Sequence, residues 1–366
     1  MPTTTGLTIP FTGLRKQYNS LRNEILDVTD EVLRSGVLMN GNYTAEFENW
    51  LAKKNSVSYA VTCHSGTQAL EIIAAYNNDL LRTAWDNPRP TVAVPAMTYP
   101  ATLNAFIRTG WQVVIVDTDR YGQMDVTKIP GDPDAICVIG LYGQSTNRTV
   151  WNRNWNSKQV FIEDGAQHWL ADDCRRESHA CAISFDPMKN LACYGNGGAV
   201  VTNNIHLMEY ARAWRDNGKS NHAYIGTNSR MSEADCAQML VKLKYFDEWQ
   251  ERRSHIAEYY AGELSEFVDV ISPGVGVESA WHKFVIRLSE RHALKHHLAI
   301  KGIETRYHYD KPLFELPVGW DFVDYAKDPY RGAVSFSREC LSLPIYPEMT
   351  DSEVTYVIES ILEFLR

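Results

Sequence analysis

The chain lacks the features that would assign it to several broad classes. Its seven cysteines, Cys63, Cys137, Cys174, Cys181, Cys193, Cys236 and Cys340, are odd in number, widely spaced and never arranged as C-x-x-C. That spacing argues against a disulfide framework and against a zinc site, so no metal is expected. No stripe of Lys and Arg offers a phosphate-backbone footprint, and the net charge of −9 comes from scattered acids, so nucleic acid is not expected as a partner. No stretch approaches the roughly 18 apolar residues of a membrane span, and Met1 to Pro10 has no basic region followed by an apolar run. A reducing, cytoplasmic compartment without membrane contact is the expectation. Internal repeats, low-complexity tracts and Gly/Ser linkers are also missing.

What is present is ordinary globular composition, 44% hydrophobic and 22% charged, over 366 residues. That length exceeds the usual limit of a single core and predicts two domains. Short apolar runs rich in β-formers recur at Tyr59 to Cys63, Thr91 to Ala96, Trp111 to Asp117, Ala135 to Tyr142, Gln159 to Glu163, Ala180 to Phe185 and Gly198 to Thr202. Their apolarity is continuous rather than alternating, as expected where helices cover both faces of a parallel sheet. The texture changes beyond Arg230. Ser232 to Leu264 has helical spacing, Ser272-Pro273-Gly274 interrupts, and Trp281 to Leu288 alternates like a half-exposed strand. The expected fold class is therefore α/β, with a large sheet domain over residues 1–245 and a smaller carboxyl-terminal domain over 246–366.

In open α/β sheets ligands bind beyond the carboxyl ends of strands, which directs attention to three segments. After the first run comes Ser65-Gly66-Thr67-Gln68-Ala69-Leu70, entering a predicted helix. Its hydroxyls, glycine and helix amino terminus suit a phosphate, and they equally suit a plain helix cap. After the fifth run Glu163-Asp164-Gly165-Ala166-Gln167 brings a carboxylate out of a buried strand. Such an acid could pair with a pyridinium nitrogen, cap a helix or ligate magnesium. After the sixth run Asp186-Pro187-Met188-Lys189-Asn190-Leu191 places a lysine between apolar strands. A lysine held in a cleft loses its proton readily and can form an imine, whereas most loop lysines are merely solvated. Phosphate cup, acid and lysine each follow a strand of one sheet, the combination a phosphorylated pyridine aldehyde requires.

In the motifs that carry these residues, the chain resembles the DegT/DnrJ/EryC1/StrS sugar aminotransferases, which are fold-type-I enzymes dependent on pyridoxal 5′-phosphate (PLP). Further matches are Thr98-Tyr99-Pro100-Ala101-Thr102, Ser184-Phe185, Gly197-Gly198-Ala199-Val200-Val201-Thr202 and Asn228-Ser229-Arg230-Met231-Ser232-Glu233, then Trp281-His282-Lys283-Phe284, Gly302-Ile303 with His308-Tyr309, and Leu341 through Pro347. The resemblance implies a mostly parallel seven-stranded sheet in the large domain and a smaller α/β carboxyl-terminal domain. It implies that Lys189 and Asp164 are catalytic, Lys189 holding PLP as an imine and Asp164 pairing with its ring nitrogen. Gln167 would bond the ring hydroxyl region, Tyr99 would stack on the ring, and Ser65, Gly66, Thr67 and Ser184 would bind the phosphate. Asn228 would reach the cofactor of a neighbouring subunit, which implies a homodimer with shared active sites. His308, Tyr309, His282, Asn190 and Arg230 would border the substrate. The implied reaction moves an amino group from glutamate, leaving 2-oxoglutarate, to a nucleotide-linked 4-keto-6-deoxyhexose or 3-keto sugar.

Two departures stand out. Asn196 precedes the paired glycines where relatives commonly carry an acid, and Tyr99 occupies a position often held by Phe or Trp. The Trp151-Asn152-Arg153-Asn154-Trp155 segment fits no part of this reading. Two other functions remain open: a PLP-dependent sugar dehydratase, disfavoured by Lys189 where such enzymes carry histidine, and a catalytically silent binding scaffold.

Overall fold

A computed structural model describes residues 8–84, 86–145, 159–171, 179–219, 222, 225–273, 278–322 and 330–366. The Trp151 to Trp155 segment, Cys174 and the first seven residues lie outside the described residues. Helices α1 (Leu14–Ser35) and α2 (Asn42–Lys54) precede an alternating series: β1 (Tyr59–Cys63), α3 (Gly66–Ala84), β2 (Thr91–Pro95), α4 (Pro100–Arg108) and β3 (Gln112–Val116). Strands β4 (Ala135–Ile139), β5 (Val160–Asp164), β6 (Ala180–Ser184) and β7 (Gly198–Thr202) complete the large sheet. Then come α5 (Ile205–Trp214), α6 (Glu233–Leu243), α7 (Phe246–Leu264), β8 (Asp269–Ile271), β9 (Phe284–Arg287), α8 (Arg291–Ile300), α9 (Arg331–Glu339), β10 (Cys340–Leu343) and α10 (Asp351–Leu365).

The seven apolar runs form one seven-stranded sheet in the order β1-β7-β6-β5-β4-β2-β3. Every residue of β4, β5, β6 and β7 is buried, so the lack of alternation reflects cover on both faces, as expected. All neighbouring pairs are parallel except those made by β7, which runs against both β1 and β6. That reversal matters for the site. It sets Gly198, the first residue of β7, opposite Cys63 and Ser184, the last residues of β1 and β6, so three strand ends meet at one edge.

The second sheet has three antiparallel strands in the order β10-β9-β8. Its core joins α7, α8 and α10 through Tyr260, Leu294, Leu298, Val357 and Ile361. The amino-terminal residue Ile9 belongs to the same core, bridged to Ile303. One expectation is corrected here: the run from Trp281 to Leu288 is not a half-exposed strand. Its β9 segment is the central strand of this sheet, and Phe284, Val285 and Ile286 are all buried, two by the sheet's own helices and Val285 against the large core. Alternation misled because apolar residues stand on both faces of a strand that is covered on both.

The ends of the helices follow their sequences. Ser232 caps α6 by accepting from the Asp235 N–H, and α10 opens with a reciprocal capping box between Thr350 and Glu353. The six described cysteines are buried free thiols.

Candidate active site

A cavity of about 510 Å³ opens above the carboxyl ends of β1, β2, β5 and β6. Its lining includes Ser65, Gly66, Thr67, Tyr99, Asp164, Gln167, Ser184 and Lys189, all named from sequence, together with His282, His308 and Tyr309. This size falls within the range of roughly 300–1,000 Å³ that accommodates small-molecule ligands.

At one end stand the amino terminus of α3 and the end of β6. A Cβ placed on Gly66 would lie 2.6 Å from the Ser184 Cβ, so only glycine lets these backbones approach. A Cβ on Gly198 would collide with the backbone of Ser65 and Gly66, which explains the second glycine of the Gly197-Gly198 pair. The Ser65 hydroxyl accepts from the Gln68 N–H at 3.2 Å, so this residue caps α3 while also lining the cavity. The cap reading of the Ser-Gly-Thr turn is thus met, and its hydroxyls also face the cavity.

Asp164 is the last residue of β5, in the centre of the sheet, and is 5% exposed. Its Oδ2 accepts from Thr102 Oγ1 at 2.7 Å and its Oδ1 from the Ala166 N–H at 3.1 Å. Thr102 lies within α4 and is in turn 2.9 Å from Thr98 Oγ1. These donors hold a buried carboxylate in one orientation, with the charge compensated. Lys189 lines the same cavity on the loop after β6 and stays partly open to it. The surrounding protein pushes its amine below the usual lysine range, chiefly by burial, against the charges of Asp164 and Asp186 that favour its proton.

Gln167 is committed on both sides of its amide. Its Oε1 accepts from the Tyr142 N–H at 2.8 Å and its Nε2 donates to the Tyr309 hydroxyl at 3.0 Å, leaving one N–H free to serve a ligand. Burial and the Asp164 charge push the Tyr309 phenol upward, so it stays protonated. His308 places Nδ1 2.8 Å from Ser342 Oγ and stacks on Phe11. Burial and the nearby cations Lys283 and Lys189 hold both His308 and His282 well below the ordinary histidine range, which makes them neutral hydrogen-bonding groups. Tyr99 is 62% exposed at the mouth, its ring 6.1 Å from that of Tyr309.

Two residues expected to border the substrate, Asn190 and Arg230, stand outside this cavity's lining, as does Asn228, which was expected to serve a neighbouring subunit. Asn190 is buried outside this cavity's lining, with Nδ2 donating to the Ala280 carbonyl at 2.6 Å and Oδ1 3.1 Å from His282 Nδ1, so it holds His282 rather than a ligand. Arg230 pairs with Asp216 at 3.3 Å and donates to Asn228 at 3.1 Å. Asn228 is exposed, and neither it nor Arg230 lines this cavity. Sequence reasoning in turn missed Lys283 and Arg306, which line this cavity, and Phe11, whose ring lies beneath both of them. The available signal was Lys283 itself, a charge set between His282 and the apolar Phe284-Val285-Ile286.

The comparisons with known proteins agree with this geometry. The profile of the DegT/DnrJ/EryC1/StrS aminotransferase family matches residues 19–362. The chain is 32% identical to a pleiotropic regulatory protein of Geobacillus stearothermophilus, covering 98% of this chain and 99% of the relative. It is also 32% identical to the dTDP-3-amino-3,4,6-trideoxy-alpha-D-glucose transaminase of Streptomyces venezuelae, covering 97% and 96%. The crystal structure of DesV from S. venezuelae, in complex with a ketimine intermediate, superposes with a TM-score of 0.89 at 31% identity over 98% of this chain and 99% of that one. Matched nearly end to end in sequence and in fold, the chain belongs to the DegT/DnrJ/EryC1/StrS aminotransferase family.

Proposed function

We propose that the protein binds PLP in this cavity and transfers an amino group from glutamate to the keto carbon of a nucleotide-linked sugar. The observation that carries the reading is the joint placement of Asp164, Lys189 and the Gly66–Ser184 cradle around one cavity. A carboxylate, an amine of lowered basicity and a glycine-floored helix terminus are the three partners that a pyridine nitrogen, an aldehyde and a phosphate require, so these residues fit the cofactor. Bound PLP supplies an electron-withdrawing ring, and an aldehyde carbon that stores the amino group between the two halves of the reaction.

The protein's own groups do the rest. Free N–H groups at the start of α3, with the hydroxyls of Thr67 and Ser184, hold the phosphate. Asp164 keeps a proton on the ring nitrogen, and Thr102 with the Ala166 N–H stops its carboxylate from turning away. The Lys189 amine would hold the aldehyde and, when free, would serve as the base that carries the proton of the substrate carbon. Gln167 and Tyr309 form a linked pair that orients the ring hydroxyl, and Tyr99 is the ring-stacking group. His282, His308 and Tyr309 border the sugar, and Asn228, remote from its own cavity, reaches the cofactor of a second copy in a homodimer. Arg230 takes the same route through its contact with Asn228. The 4-keto-6-deoxyhexose or 3-keto sugar substrate, the glutamate donor, a cytoplasmic setting and the division at 245/246 belong to the same reading.

Purified protein should be yellow, with an absorbance band that borohydride abolishes. A panel of nucleotide-linked keto sugars incubated with glutamate should give aminated products by mass spectrometry. A deoxygenated sugar would instead identify a dehydratase, and protein that takes up no PLP would identify a silent scaffold.

A further inference from the structure

The chemistry above uses one lysine of the cavity and leaves a second without a task. Lys283 immediately precedes β9, is 6% exposed, and lines both the cavity that holds Lys189 and a narrow cleft behind it. Its Nζ lies 3.4 Å from the carbonyl of Met188, the residue just before Lys189, and 5.1 Å from the centre of the Phe11 ring. Among the described residues, no carboxylate lies within ion-pair distance of it. Asp186 is the acid whose charge favours its proton, while burial first, and then Arg253, Lys189 and Arg306, push the amine well below its usual value. Arg306, exposed and lining the same cavity, carries its guanidinium 5.2 Å from the same Phe11 ring.

Proteins rarely bury an ammonium group without a counter-charge, because desolvation is not repaid. Packing alone does not account for this one, since a lysine stem can fill space while its head reaches bulk water, and here the residue is buried with its amine against a carbonyl at the cavity. We propose that Lys283, with Arg306 beside it, binds a carboxylate of the amino donor and so sets the donor's amine next to Lys189. The proposal rests on the transaminase reading above and deepens it.

The position selects a carboxylate over the other anion in the reaction, the diphosphate of a nucleotide sugar. In an α-amino acid the carboxylate is one bond from the carbon that bears the amine, so its counter-charge must stand close to Lys189. Lys283 meets that demand through its contact with the carbonyl of Met188. A diphosphate is separated from a C3 or C4 keto carbon by the breadth of the sugar ring, and its size and charge suit cations open to solvent. Phe11 is then a positioning residue: its buried ring, stacked on His308, is the surface on which both cations rest.

The test needs no sugar. Holoenzyme is mixed with L-glutamate alone, and the cofactor's absorbance change is followed as a function of glutamate concentration. Lys283→Met is expected to raise the half-saturating concentration about tenfold or more, the loss of one charge-assisted bond, while the limiting rate changes little. Lys283→Arg should recover part of that loss, and Arg306→Gln, at an exposed site, should raise the value only about threefold. Binding of dTDP and of UDP, measured by calorimetry on the same proteins, should be unchanged. An unaltered half-saturating concentration in Lys283→Met overturns the proposal. So does a fall in limiting rate alone, or a loss of dTDP and UDP affinity by the same factor, which would assign the cation to the diphosphate. Retained cofactor absorbance and melting temperature separate these results from misfolding, with Arg306→Gln as the independent variant. Wild-type holoenzyme that responds to none of L-glutamate, L-aspartate and L-alanine would overturn the transaminase reading itself, a result distinct from wild type responding and the variant matching it.

Discussion

The two sides of the cavity are built on different terms. The floor is made of strand ends: Asp164 closes β5, Ser184 closes β6, and Gly66 opens the helix after β1. The Asp164 carboxylate is tied by two donors, Thr102 at 2.7 Å and the Ala166 N–H at 3.1 Å. A second wall comes from segments far apart in sequence, His282, Lys283, Arg306 and His308, backed by Phe11, and its cations lean on an aromatic ring and a carbonyl rather than on acids. A floor whose Asp164 is bonded through both oxygens keeps that carboxylate in a fixed position. A wall with charge left over leaves recognition to whatever anion arrives. On the proposed reading, chemistry and selectivity are carried by separate parts of the chain, and the two can be altered one at a time.

Substitutions on the floor should therefore abolish turnover without changing which substrates bind. The largest effect is expected for Lys189→Ala, with amination of a nucleotide-linked keto sugar falling by at least about 10³-fold because the proton carrier is gone. Mass spectrometry of products checks this, and near-normal turnover would remove the reading altogether. Asp164→Ala should fold and still take up PLP, yet lose about 10²-fold or more of its transamination rate, since the ring nitrogen no longer keeps its proton. Wild-type turnover in this variant would break the assignment of the floor.

The same variant sharpens the comparison through pH. Burial lowers the Lys189 amine and the Asp164 charge opposes that shift. The rate at which apoenzyme captures PLP should thus rise with pH and level off below the ordinary lysine value near 10.4. Removing the Asp164 charge takes away a force that retains the proton, so the Asp164→Ala profile should move to lower pH; a shift upward would contradict the electrostatic account. Thr102→Val, which deletes only the donor to Oδ2, is expected to slow turnover about tenfold while leaving the half-saturating glutamate concentration alone. The smallest effect belongs far from both sides. Thr350→Ala breaks the capping box of α10 and should cost about 1 kcal/mol of stability, read from denaturant unfolding, with no change in kcat.

Much of the floor is legible in the amino-acid sequence. Seven continuous apolar runs became seven strands because a strand covered on both faces has no polar side to show, and the residues that follow such strands must lie along one edge of the sheet. That logic singles out Ser65, Gly66, Asp164 and Lys189 from local sequence, whereas Ser184 entered through the family resemblance. The same logic failed for β9, where covering on both faces arrived from helices outside the run's own neighbourhood. It also placed Asn190 beside a ligand when its amide is spent on the Ala280 carbonyl and on His282, 90 and 92 residues away in sequence.

Sequence by itself determined the sheet and marked the acid and amine of the proposed reaction, since each depends on a short segment and the alternation of strand with helix. Only the tertiary structure decided that Thr102 restrains Asp164 and that Phe11 gathers Lys283, Arg306 and His308 into one wall. Those contacts join side chains separated by 62 residues in the first case and by most of the chain's length in the second. No local propensity encodes them, because their partners become neighbours only once the chain has folded.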